Sequence, residues 1–214
     1  MTELPAIGSY DADDDLLEAV SRSGEARVRL ARPERAMVVL GRGSEPRREL
    51  HVEACLDDRV ALLRRRGGGC AVVLDPGNLL VTVVLPVEGL GAIQQHFEHL
   101  SGWIACSLNT AGVAGVVRRG VSDLAVGERK IGGACIFRRK DLLYYSTTLL
   151  IEPRVDLMER YLAHPPREPD YRRNRPHREF VGALVELVPG IDTRFLVERL
   201  RELLTAQRLR EYRR

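Results

Sequence analysis

From residue 113 to residue 151 the chain runs through four β-prone segments with almost nothing between them. Residues 122–126 and the segment that starts at Arg129 are separated only by Gly127-Glu128. The next pair is separated by the polar turn Arg138-Arg139-Lys140-Asp141. A parallel pair needs a crossover of about a dozen residues or more, so these strands can only pair antiparallel. Residues 79–85 add a continuous apolar, β-branched run that predicts an interior strand covered on both faces. The expected architecture is α/β of the α+β kind: a mixed, largely antiparallel sheet flanked by helices.

The remaining elements fit around that sheet. Carboxylates at Asp11, Asp13, Asp14 and Asp15 precede Leu16, Leu17, Ala19 and Val20, the pattern of a capped helix over 11–22. Strands are expected at 26–30, 36–40, 60–63 and 71–74. Pro46 is placed to start a helix reaching about residue 56. Asp75-Pro76-Gly77-Asn78 has the residues of a type II turn. Residues 91–108 space Ile93, Phe97, Leu100, Trp103 and Ile104 as an amphipathic helix, with Trp103 in the core. A short helix capped by Asp156 is expected over 156–162, and two more over 179–187 and 193–212. Residues 163–178 form a long basic, proline-rich loop, a length that usually carries function inside a domain.

Composition bounds the function. At 214 residues, with 44% hydrophobic and 29% charged, the chain suits one soluble domain with its core over about 25–190. No apolar run approaches the roughly 18 residues of a membrane span. No secretory signal is visible, so a cytoplasmic location is expected. A net charge of +3 and basic segments without interleaved aromatics do not point to nucleic acid. Cys55, Cys70, Cys106 and Cys135 include no Cys-x-x-Cys pair, and His96 and His99 lack a third ligand, so no metal site is expected.

Two features point to chemistry. Arg64-Arg65-Arg66-Gly67-Gly68-Gly69 joins two strands. Consecutive glycine N–H groups can form an anion nest, with guanidinium groups at its mouth; an arginine-flanked turn without a ligand is the other reading. Of 33 basic side chains only Lys130 and Lys140 are lysine. Lysine is a compact point charge that arginine does not replace where one ammonium must reach one atom. Lys140 falls in a polar turn, which leaves Lys130 as the candidate functional residue.

These segments resemble the lipoate–protein ligase A family, within the biotin/lipoate ligase and lipoyl transferase fold, over nearly the whole chain. Val39-Leu40-Gly41-Arg42 is similar to the family's V-x-x-G-R strand end. Arg65-Arg66-Gly67-Gly68-Gly69-Cys70-Ala71-Val72, continued by Asp75-Pro76-Gly77-Asn78, resembles R-R-x-G-G-G-A-V-x-H-x-x-G-N. Ser122-Asp123-Leu124, Gly127, Lys130-Ile131 and Gly133-Ala134 resemble N-D-L…G-x-K-I-x-G-S-A.

The resemblance implies an ATP-dependent ligase with Lys130 as its catalytic residue. It implies substrate and nucleotide binding by Arg65, Arg66, Gly67, Gly68, Gly69, Cys70, Asn78, Ser122, Asp123, Gly133 and Ala134. The substrates would be ATP with Mg2+ and lipoate or octanoate, with no permanently bound cofactor. The acceptor would be a lysine on a lipoyl carrier domain, of the 2-oxoacid dehydrogenase E2 or glycine cleavage H type. Residues 1–214 would be one catalytic domain without the smaller C-terminal domain of many such ligases, a role a separate chain could fill. The chain departs from the pattern at Cys70 (a signature glycine), Leu74 (a signature histidine) and Ser146 (the histidine of a later H-x-T-L strand). Two alternatives remain: an ATP-independent lipoyl or octanoyl transferase with Cys135 as nucleophile, and a non-catalytic lipoyl-adenylate binding protein.

Overall fold

The structure, a computed structural model, describes residues 6–88 and 93–212. In chain order the elements are β1 (Gly8–Ser9), α1 (Asp14–Ser23), β2 (Arg27–Ala31), β3 (Met37–Leu40), α2 (Pro46–Glu49), α3 (Val52–Asp57), β4 (Ala61–Arg64), β5 (Val72–Leu74) and β6 (Asn78–Pro86). There follow α4 (Ile93–Thr110), β7 (Val116–Arg119), β8 (Asp123–Val126), β9 (Arg129–Arg139), β10 (Leu142–Leu150), α5 (Val155–Tyr161), α6 (His177–Phe180), α7 (Leu184–Leu187), α8 (Thr193–Leu203) and α9 (Ala206–Tyr212). The first two residues of the helix expected at 91 lie outside the described residues.

The strands form two sheets rather than one. Six run antiparallel in the order β2-β6-β10-β9-β8-β7, as the short turns require. The other four form a mixed sheet, β1-β4-β3-β5, with β4 parallel to both β1 and β3. The β3–β4 crossover is made by α2 and α3.

Alternation along β6 and β10 decides what each face of the large sheet meets. Leu79, Val81, Val83, Leu143 and Tyr145 pack against Leu100, Trp103 and Ile104 of α4 and Leu196 and Leu200 of α8. The opposite face carries Val84, Leu142 and Tyr144, which pack on Leu16, Leu17 and Val20 of α1. A separate core of Val38, Leu62, Val73, Met158, Tyr161 and Phe180 joins the mixed sheet to α5 and α6. Burying these side chains supplies most of the driving force.

Several elements differ from expectation for identifiable reasons. The helix after Pro46 breaks at Leu50 because the chain there is drawn into pairing elsewhere: Leu50 bridges Leu162, and the His51 N–H donates to the Tyr161 carbonyl at 2.9 Å. Asp13 does not cap α1 with its side chain; its carboxylate is instead buried against Thr82 and Tyr144. Asp156 lies inside the first turn of α5, paired with Arg154 at 2.6 Å, rather than at its cap. The segments at 179–187 and 193–212 are each two helices; Val181 and Gly182 interrupt the first to meet the Lys130 backbone.

The turn at residues 75–78 is not type II, because Gly77 is outside the left-handed region. Asp75 Oδ1 accepts the Gly77 N–H at 2.7 Å and organises the turn instead. Glycine is needed here for proximity: a Cβ on Gly77 would lie 1.8 Å from the Glu152 carbonyl oxygen. Gly77→Ala is therefore expected to cost about 1–3 kcal/mol of stability, measured by urea unfolding; an unchanged midpoint would contradict this packing.

Candidate active site

Between the glycine loop and the α1 face of the large sheet lies a cavity of about 1540 Å³. Every residue that the resemblance gives a catalytic or binding role, and Cys135, lines it except one. Asn78 is fully buried in the 75–78 turn, where its Oδ1 accepts the Asp75 N–H at 3.1 Å.

Lys130 reaches the cavity through an irregularity in the sheet. Asp123 and Leu124 pair with Gly133 and Gly132, but Ala125 pairs with Lys130, so Ile131 is an extra residue on β9. Ile131 turns into the core with Ala134 and Ile136. Lys130 is thereby brought to the side of Gly133, whose missing Cβ would stand 2.9 Å from Nζ. A bulge that re-aims one side chain is a recurrent device next to active sites. The Lys130 ammonium pairs with Asp123 Oδ1 at 2.7 Å, and Tyr171 donates its hydroxyl to Asp123 Oδ2 at 2.8 Å. Burial, then the Asp123 charge, pushes the Tyr171 phenol well up, so it stays a donor. Arg119 lies over the Tyr171 ring, 4.5 Å from its centroid.

The glycine loop is held by its carbonyls. Gly67 accepts from the Arg42 N–H at 2.9 Å, Gly69 from Ser44 Oγ at 3.3 Å, and Gly68 and Cys70 from Arg65 Nη2 at 2.7 and 2.8 Å. Arg65 Nη1 also reaches the Val39 carbonyl at 2.9 Å. With the acceptors tied back into the protein, the loop N–H groups are the polar atoms it can offer a ligand. Arg65 thus builds the loop, and Arg66 makes a two-pronged pair with Asp14. Gly69 takes φ of +93°, and Gly41 is needed because a Cβ there would lie 1.9 Å from the Gly69 oxygen.

Glu49 completes the support, and nothing in its sequence context marks it. This buried carboxylate accepts from Ser44 Oγ at 2.9 Å, the Ala71 N–H at 2.6 Å and the Glu45 N–H at 3.2 Å. On the sheet side, Asp13 Oδ2 accepts from Tyr144 at 2.7 Å and Thr82 at 2.9 Å; Thr82 Oγ1 lies 3.2 Å from Ser146 Oγ, where the resemblance has histidine. Cys70 lines the cavity with Sγ 3.7 Å from the Arg167 carbonyl. Cys135 faces the loop: a Cβ on Gly67 would sit 2.9 Å from its Sγ. Burial pushes the Cys135 thiol up, which opposes formation of a nucleophilic thiolate.

The profile of the lipoyl protein ligase A/B catalytic domain matches residues 8–205. The chain belongs to that family. It is 30% identical over 159 residues to the lipoate-protein ligase A of Bdellovibrio bacteriovorus, covering 72% of this chain and 45% of the relative. It is also 30% identical over 125 residues to a probable lipoate-protein ligase A of Mycoplasma genitalium, covering 58% and 37%. The chain spans less than half the length of these two relatives.

The lipoyl ligase fold is shared with a structure from an archaeal lipoylation system, a bi-partite lipoate protein ligase and its E2 lipoyl domain from Thermoplasma acidophilum. That likeness has a TM-score of 0.70 at 20% identity and covers 92% of this chain and 82% of that one. It is shared too with a lipoate-protein ligase A bound with ATP, at a TM-score of 0.68 and 22% identity over 87% of this chain and 77% of that one. At these identities the likeness concerns the fold. No helix among the described residues is long and apolar enough to cross a membrane.

Loop 163–178 carries functional candidates that its composition did not single out: Tyr171, Arg172 and His177 all line the cavity. Burial first, then the charge of Arg172, lowers the His177 pKa from 6.5 to about 4. The fold therefore accepts the neutral ring, and between those values the unfolded chain binds more protons than the folded one. Stability rises with pH across that window, is full above 6.5, and is lost as pH falls through about 4. His177→Asn is expected to reduce the difference in unfolding free energy between about pH 7 and about pH 5; equal differences in variant and parent would contradict the assignment.

Proposed function

We propose that this chain is an acyl-adenylate-forming ligase that activates lipoate or octanoate with ATP and passes the acyl group to a lysine of a carrier domain. The observation that carries the reading is the Lys130 ammonium, held at 2.7 Å by Asp123 across one cavity from a glycine loop whose carbonyls are tied back. The cavity also has apolar wall, including Leu17, Val73 and Phe137, to take a hydrocarbon chain.

In the first step a carboxylate oxygen of the acid attacks the α-phosphorus of ATP. The new bond is the mixed anhydride, and the bond between the α-phosphorus and the bridging oxygen breaks to release pyrophosphate. Lys130 would stabilise negative charge gathering on the phosphoryl and carbonyl oxygens, and the loop N–H groups would receive further phosphate oxygens. Magnesium enters with the triphosphate, as part of the substrate. In the second step a neutral carrier lysine attacks the carbonyl carbon, AMP departs with the bonding pair, and the nitrogen of the new amide gives up its extra proton to solvent. Positioning of the two reactants supplies much of the acceleration.

The related proteins support the substrates: their names specify lipoate, one is described as bound with ATP, and one as bi-partite and accompanied by an E2 lipoyl domain. Those descriptions support a carrier domain as acceptor and a second chain as helper. The raised thiol pKa and tight packing of Cys135 favour the ATP-dependent route over a cysteine-based transfer.

Pyrophosphate release from ATP in the presence of octanoate tests the reading. Lys130→Ala is expected to slow it by roughly a hundredfold or more in a chain that still folds, with a lowered unfolding midpoint because the buried Asp123 loses one of its two partners, while Cys135→Ser leaves it intact. Near-parental release by Lys130→Ala would refute the mechanism, and transfer that needs Cys135 but no ATP would establish the transferase chemistry instead.

A further inference from the structure

Arg172 ends the 3₁₀ turn Asp170–Arg172, immediately after the tyrosine that grips Asp123. It is 5% exposed, and its side chain forms part of the cavity wall. Its Nε is engaged: it donates to the Arg175 carbonyl at 3.0 Å and pairs with Glu168 Oε2 at 3.4 Å. The group also lies over the Phe180 ring, 4.9 Å from the centroid. Nη2 is buried without a hydrogen-bond partner among the described residues. A buried charged donor without an acceptor is costly and rare, and a bound acceptor relieves it.

Three observations place this donor and give it a purpose. The backbone that follows is held in a sparsely populated conformation, with Arg173 at φ +52° and Asn174 at φ +56°, two consecutive non-glycine residues in the left-handed region. Arg172 also belongs to the Lys130 end of the cavity: the Asp123 carboxylate acts on both cations, and His177 feels both. Finally, the nearby carboxylates are already occupied. Asp123 holds Lys130 and Tyr171, while Glu168 accepts the Asn174 N–H at 2.9 Å and shares a 2.8 Å hydrogen bond with His164 Nε2. The Nη2 donor of Arg172 therefore has no acceptor among the described residues.

We propose that Arg172 is a phosphate-binding residue of this cavity, presenting Nη2 to a phosphoryl group of the nucleotide while Lys130 meets the reacting end. The inference deepens the ligase reading and rests on it. A phosphoryl group fits better than the acid's carboxylate, because it offers a guanidinium more oxygens and more charge. Arg172 stays a cation throughout and takes no part in bond making.

Calorimetric titration of the parent, Arg172→Met and Arg172→Lys with ATP, and separately with octanoate, tests this. Methionine keeps apolar packing on Phe180 but gives up the Nε bond to the Arg175 carbonyl and the ion pair with Glu168, so each variant is first shown to be folded by its unfolding midpoint. ATP affinity is expected to drop by about tenfold or more in Arg172→Met, with octanoate affinity unchanged and a smaller loss in Arg172→Lys. If the methionine chain does not fold, the lysine chain carries the comparison. ATP affinity within about twofold of the parent in the folded variants, or a loss confined to octanoate, would overturn the proposal. Pyrophosphate release by the parent separates the two levels: retained release alongside unchanged ATP affinity in the variants overturns Arg172 alone, whereas a parent that neither binds ATP nor releases pyrophosphate overturns both.

Discussion

Burying a carboxylate such as Asp123 is costly unless both of its oxygens are compensated. Lys130 compensates one and Tyr171 the other, and each arrives from a different part of the chain. The ammonium comes from β9 by way of the extra residue Ile131; the phenol comes from the long basic loop. Asp123 thereby fastens loop 163–178 to the large sheet in the wall of the cavity. The same pair keeps a single positive charge stationary where an acyl phosphate would develop negative charge, so the structural requirement and the proposed chemistry are met by one contact.

The opposite wall follows a complementary logic. The glycine loop supplies donors only because its acceptors are consumed elsewhere, by Arg42, Ser44 and above all Arg65. Gly41 and Gly69 let two backbone segments approach more closely than any Cβ allows, and Glu49 binds the strand that leaves the loop. An arginine aimed at carbonyls rather than at a ligand is a modest role for a signature residue, yet without it the loop's oxygens would face the same space as its N–H groups.

Local patterns of the chain carry the sheet and most of the site. Two-residue and four-residue turns force antiparallel neighbours, and the scarcity of lysine singles out Lys130. What local patterns could not carry depends on distant contacts. The break between α2 and α3 comes from pairing of Leu50 with Leu162, more than a hundred residues away. Gly77 reads as a type II glycine until the Glu152 carbonyl is seen pressed against it. Asn78 belongs to a motif that resembles a binding signature, but its side chain is spent on its own turn. Glu49, Tyr171 and Arg172 have no signal of their own, because each is defined by partners that only the tertiary fold assembles. The loop that bears the last two was marked only by its length and charge.

On the proposed reading the cavity holds an acyl-adenylate between the glycine loop and Lys130, and no acyl-enzyme forms. Mass spectrometry of the protein incubated with ATP and octanoate reads this directly, recorded once under non-denaturing and once under denaturing conditions. The expected result is one octanoyl-adenylate per chain in the native spectrum and an unmodified chain after denaturation. An octanoyl adduct that survives denaturation and disappears in Cys135→Ser would contradict it.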